Sequence, residues 1–112
     1  MKRIFAFLIA ITFPMSSFAA YECNVHIIQV LVYSNGSVNV LHTGRGEFTV
    51  ICNLNSNYGE ASPTTCAMWT AMLQSIKKKG GSANFYFNGE GSCATMETYI
   101  NAPVPLYIGD VS

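Results

Sequence analysis

The sequence predicts a mainly β fold with one central helix, closed as a small five-stranded barrel and stapled by disulfides. Three observations lead there. Runs rich in β-branched and aromatic residues, broken by Gly, Asn and Pro, lie on both sides of a single stretch with helical spacing. That one helix falls in the middle of the strand order, as in a barrel plugged by a helix. Four cysteines, an even number, occur in a chain of only 112 residues, the pattern of a small exported domain.

Length allows one domain. Six basic and six acidic side chains balance to zero. A surface that holds nucleic acid needs clustered Lys and Arg to neutralise phosphates, so no nucleic-acid partner is expected. With 11% charged residues the chain is too apolar for a coiled coil, and with 12% aromatics too sticky for a disordered one.

The first nineteen residues read as a signal peptide that is removed. Lys2 and Arg3 precede an apolar stretch from Ile4 to Phe13, Pro14 ends it, and Ser17-Phe18-Ala19 offers small residues where signal peptidase reads. The stretch is too short for a membrane span, which needs about 20 apolar residues. The expected organisation is therefore 1–19 leader and 20–112 a single domain, secreted or periplasmic. Without Lys2 and Arg3, four basic side chains face six acidic ones.

Strand signal begins near Asn24 and runs to Tyr33 through Val25, Ile27, Val30 and Val32. Asn35-Gly36 follows, a strong hairpin turn. Ser37 to Thr43 alternates, with Val38 and Val40 on one side and Asn39 on the other. Gly44-Arg45-Gly46 breaks the chain before a third strand, Glu47 to Leu54, in which Phe48, Val50 and Cys52 share a face. These three segments read as an antiparallel meander. Asn55 to Thr64 is a polar loop. Ser62-Pro63 is a helix start: a serine cap, then proline where a missing N–H costs nothing. Trp69, Met72, Leu73 and Ile76 keep helical spacing, Lys77 to Lys79 suit the negative end of the helix dipole, and Gly80-Gly81 stops the helix. Strand signal returns at Ala83 to Phe87. Asn88-Gly89-Glu90-Gly91 is a turn, Cys93 to Asn101 is mixed with at most a short strand, and Leu106 to Ile108 is a last strand after Pro103 and Pro105. Among small barrels, the five-stranded OB barrel fits this order best.

Two disulfides follow from Cys23, Cys52, Cys66 and Cys93. A zinc site does not, because no close Cys-x-x-Cys or His-x-x-x-His pair occurs. Of three pairings, Cys52–Cys66 closes the loop between a strand and the next element, and Cys23–Cys93 ties the first strand to the C-terminal part.

The pieces Val25-His26-Ile27-Ile28-Gln29, Phe48-Thr49-Val50-Ile51-Cys52, Cys66 with Trp69 and Leu73, and Gly81-Ser82-Ala83-Asn84-Phe85-Tyr86-Phe87 resemble, in that order, the B subunits of the A-plus-five-B bacterial toxins. The subtilase-cytotoxin and typhoid-toxin branch is the most similar. The resemblance implies an OB-fold protomer, a homo-oligomer that forms a ring of five, recognition of a host or surface glycan that is often sialylated, and an A subunit as a further partner. The family's glycan-contacting serine on the first strand falls near Cys23 or Asn24, and its tyrosine near Phe87, so neither hydroxyl is reproduced.

His26 and His42 read as strand histidines on a polar face. No Gly-x-Ser-x-Gly or comparable nucleophile motif stands beside them. Disulfides would consume every thiol, and Gly89-Glu90-Gly91 is followed by no Gly-Lys-Ser/Thr. No enzyme, cofactor or metal is expected. The aromatics carry more. Phe85 and Phe87 share one face of their strand and Tyr86 takes the other, and an outward tyrosine suits sugar stacking with a hydroxyl hydrogen bond. The ligand-binding candidates are Tyr86, Phe87, Asn88 and Asn24, with Glu90 and Asn101 as further polar contacts. Glu90 and Glu97 are a carboxylate pair only if the fold brings them together. Two functions are consistent with these residues: a non-enzymatic glycan-binding module that assembles as a toxin-B-like oligomer, or a small interaction protein such as an enzyme inhibitor, monomeric or dimeric.

Overall fold

The computed structural model describes residues 19–112. Apart from Ala19, the expected leader lies outside the described residues. The elements are β1 (Ala20–Val32), β2 (Ser37–His42), β3 (Phe48–Asn53), α1 (Pro63–Lys79), β4 (Ser82–Asn88) and β5 (Tyr107–Asp110). The strands form one antiparallel sheet in the order β3-β2-β1-β4-β5.

β1 is the spine. Its first half, Ala20 to His26, pairs with β4, and its second half pairs with β2. The register slips between Ile27 and Gln29, leaving Ile28 unpaired and 48% exposed. Such a bulge bends a strand and sharpens its twist, so one strand can serve two differently facing halves of a sheet. A second slip, between Val38 and Asn39, falls where β2 meets β3. The expected meander is present. β1 starts at Ala20, earlier than its hydrophobic run suggests, because its first residues are held by β4 far along the chain.

The hairpin after β1 works as its residues dictate. Gly36 takes φ 90°, and the Asn35 side chain accepts from the Ser37 N–H at 3.0 Å. A Cβ on Gly36 would lie 2.7 Å from side-chain atoms of Asn53 and Asn55. The helix is capped at both ends as its sequence predicts. Ser62 Oγ accepts from the Thr65 N–H at 3.2 Å. Gly80 ends the helix in the left-handed region at φ 69°, ψ 24°.

The core gathers Cys23, Val25 and Ile27 of β1, Val38 and Val40 of β2, Ile51 and Cys52 of β3, Ala83, Phe85 and Phe87 of β4, and Cys66, Trp69, Leu73 and Ile76 of α1. Both disulfides join the expected partners: Cys52–Cys66 locks β3 to α1, and Cys23–Cys93 ties β1 to the loop after β4. They match an oxidising environment. Among the described residues no helix is long and apolar enough to cross a membrane.

The ladder ends at β3 on one side and β5 on the other, so the sheet itself is not closed. Two expectations change. The mixed stretch Cys93–Asn101 is loop; its only pairing in the ladder sense is a parallel bridge between Thr49 and Tyr99, made by Tyr99 N–H to the Phe48 carbonyl and Val50 N–H to the Tyr99 carbonyl. His42 is not on a polar face. It pairs with Ile27, which sends its ring to the side of Val38 and Val40, fully buried and edge-on to Phe85 at 5.0 Å.

Candidate binding cleft

The long loop between β4 and β5 is fixed at several points. Cys93 is bonded to Cys23. The Arg45 Nε–H donates to the Met96 carbonyl at 2.7 Å. Tyr99 is bonded to β3 as above, and the Tyr58 hydroxyl donates to the Ile100 carbonyl at 2.8 Å. Pro103 and Pro105 then stiffen the return to β5. Tyr99 itself sits at φ 53°, a backbone conformation uncommon for a bulky side chain that its two bonds to β3 hold in place.

Between this loop and the adjoining ends of β1 and β4 lies a cleft of about 310 Å³. Its lining includes Tyr21, Asn88, Glu90, Glu97, Asn101 and Pro103. Tyr21 is on the inward-facing phase of β1, two residues before Cys23, where the strand runs out of core to fill. Its ring stacks on Phe87 at 5.0 Å and 21°, so the ring is held in place by the core beneath it. Burial pushes its phenol pKa up. Gly91 completes that wall: a Cβ there would lie 2.9 Å from Tyr21 Cε1, so the backbone can approach the ring only without a side chain.

The sequence candidates separate in space. Asn88 lines the cleft, with Glu90 and Asn101. Glu90 and Glu97 do share a site, joined there by the loop's fold rather than by any spacing. Phe87, a candidate from the sequence, lies on the inner phase of β4, 3% exposed, stacked on the Tyr21 ring and outside the cleft lining. Tyr86 and Asn24 are on the outer face. There Tyr86 stacks on Tyr107 at 5.0 Å and 6°, opposite Glu22 in register, and Asn24 is exposed opposite Asn84. The Tyr107 hydroxyl donates to Glu22 Oε1 at 3.5 Å; desolvation first and the carboxylate second push that phenol pKa up. Lining residues that were not candidates from the sequence are Tyr21, Thr95, Met96 and Pro103. Tyr21 was legible from the alternation Tyr21, Cys23, Val25, which carries it to the core side; nothing local marks Pro103.

Chemically the cleft offers an aromatic wall, two side-chain amides that both donate and accept, and two carboxylates that only accept. The histidines lie elsewhere. His26 Nδ1 is 3.0 Å from the Gly81 carbonyl, near the far end of β4, and His42 is in the core. Among the described residues no three His, Cys, Asp or Glu side chains converge as a metal ion requires. No protein-family model matches the sequence, and no curated protein matches it closely enough to count as a relative.

Proposed function

We propose that this protein is an exported, non-enzymatic binding module that takes a glycan in the cleft beside Tyr21 and works as a toxin-B-like homo-oligomer. One observation carries the reading: a tyrosine ring, fixed by stacking on the core, stands in one cleft with Asn88, Asn101 and carboxylates. A sugar presents an apolar C–H face and a rim of hydroxyls, and this is the chemistry that meets both.

The finer architecture that goes with this function is an OB-like barrel. Three features support it: β1 is shared between the two halves of the sheet, the helix lies between β3 and β4, and the Tyr99 segment runs parallel along the edge of β3. Assembly is supported by the exposed apolar side chains Val32, Met68, Ile100 and Leu106 and by the β5 end of the ladder, because an edge strand is a template for pairing with another chain. Export is supported by the leader-like Met1 to Ala19 and the two disulfides.

The test is a glycan array with the purified disulfide-bonded protein, repeated with Tyr21→Ala. Array signal that Tyr21→Ala removes at unchanged circular dichroism is the expected result. A clean monomer with no array signal would instead favour an inhibitor-like interaction protein.

A further inference from the structure

The cleft has a charge character that its resemblance-derived ligand class does not predict. Its polar side chains are the amides of Asn88 and Asn101, the hydroxyls of Tyr21 and Thr95, and the carboxylates of Glu90 and Glu97; no Lys, Arg or His lines it. Arg45 is held on the carbonyl of the lining residue Met96 at 2.7 Å and is not itself part of the lining. The three consecutive lysines, Lys77 to Lys79, close the helix that leads into β4 at Ser82, whereas the cleft adjoins the Asn88 end. Those ends are about 20 Å apart at strand rise, beyond the roughly 8 Å over which charges act in physiological salt. Neither Glu90 nor Glu97 has a basic partner within salt-bridge distance among the described residues, where Lys79–Asp110 is the ion pair formed.

We infer that the cleft selects ligands rich in hydroxyl or amine donors, that is neutral sugars and amino sugars, and rejects sugars that bear a carboxylate or sulfate. The inference rests on the cleft being the glycan site. Carboxylates can only accept hydrogen bonds, so any bond a ligand makes to Glu90 or Glu97 must come from a hydroxyl, amide N–H or ammonium of the ligand. A ligand carboxylate in the same space would face two like charges, with no cation in the lining to pair with it. The stacked Tyr21 ring favours the same class, since it presents a flat apolar surface to an uncharged sugar face, and an ammonium beside such a ring gains a cation–π contact as well.

The experiment uses the whole disulfide-bonded protein and an array of matched oligosaccharide pairs, identical except for a terminal sialic acid or sulfate, followed by titration of the pairs that bind. Nuclear magnetic resonance signals of Tyr21 and Asn101 report whether the bound sugar occupies the cleft. The uncapped member of each pair should bind at least tenfold tighter than the capped one and should move both signals. In Glu90→Gln/Glu97→Gln, which keeps the shape and removes the charge of two exposed side chains, the preference should shrink to less than threefold. Equal or tighter binding of the capped sugars with the same signals moving would overturn the charge rule while leaving the glycan site intact. A preference that survives the double substitution would overturn it too. Array binding that leaves Tyr21 and Asn101 unmoved, or no binding at all, would remove the cleft as a glycan site and this inference with it.

Discussion

His42 shows how much one side chain can decide. Its ring is fully buried. Nδ1 accepts from the Gly44 N–H at 3.1 Å, so the ring proton sits on Nε2, which has no partner. Burial lowers its pKa from 6.5 to about 4. The folded state therefore binds this proton less readily than the unfolded chain. Stability is full above pH 6.5, falls as the pH drops through that value, and levels off below about 4. The loss over that window is on the order of 3 kcal/mol. Denaturant midpoints between pH 7 and 4 should record it, and His42→Gln should flatten the curve there, at lower overall stability. Asp110, held down to about 2 by its hydrogen bonds from Ser112 and then by Lys79, adds its own acid loss at a lower pH, so the two effects are separable. Trp69 belongs to the same scale. It is 8% exposed in the core, on the stripe with Leu73 and Ile76 that covers the sheet. Trp69→Ala should cost about 3 to 5 kcal/mol, read as a lower melting temperature. An unchanged melting temperature with binding lost would make the helix the recognition surface instead.

At the scale of elements, the two disulfides have different work. Cys52–Cys66 closes a short loop, with a sequence separation of 14, and should contribute about 3 kcal/mol by loop entropy. Cys23–Cys93 spans 70 residues and should contribute about 4 kcal/mol, and it also carries one wall of the cleft. Replacing Cys23 and Cys93 with alanine should thus lower the melting temperature and weaken ligand binding together. Replacing Cys52 and Cys66 should lower stability at nearly unchanged affinity in protein that remains folded. Titration of both variants well below their melting temperatures distinguishes the cases; equal loss of binding in both would show that the loop does not depend on its own bridge. Gly91→Ala is the finer probe of that wall. Its new methyl would meet the Tyr21 ring on a backbone at φ 153° that L side chains rarely adopt, so ligand binding and melting temperature should fall together.

At the scale of the whole molecule, a five-stranded ladder ending at β3 and β5 packs on one helix and leaves several apolar side chains outside. Ile100 is 73% exposed and Met68 68%, apolar surface that assembly would cover. Light scattering on the purified mature chain should give a multiple of the protomer mass, five for the ring that the resemblance implies. A single-protomer mass at micromolar concentration would remove the oligomer from the proposed function. Intact mass should also place the mature N-terminus at Ala20; recovery of Met1 in exported protein would contradict the leader reading.

The local grammar of this chain was readable without a fold. The hairpin at Asn35-Gly36, the Ser62-Pro63 start and Gly80 stop of the helix, and the phase of Phe85-Tyr86-Phe87 each follow from interactions within a few residues. The sequence alone also selected the cysteine pairs, since four cysteines leave three choices and the element order favours one. What it could not supply came from contacts distant in the chain. His42 shares the phase of Val38 and Val40 by alternation alone, but that this phase is core at residue 42 shows only once Phe85 packs edge-on against the ring. The four residues that open β1 show their strand character only once β4 is beside them. Glu90, Glu97 and Asn101 form a site because Cys93, Met96 and Tyr99 are pinned to three other parts of the molecule, and Tyr21 joins them because the core ends beneath its ring. Spacing in sequence determines which way a side chain points on its own strand or helix. Which side chains meet is set by packing and register between segments, and that is where this cleft was decided.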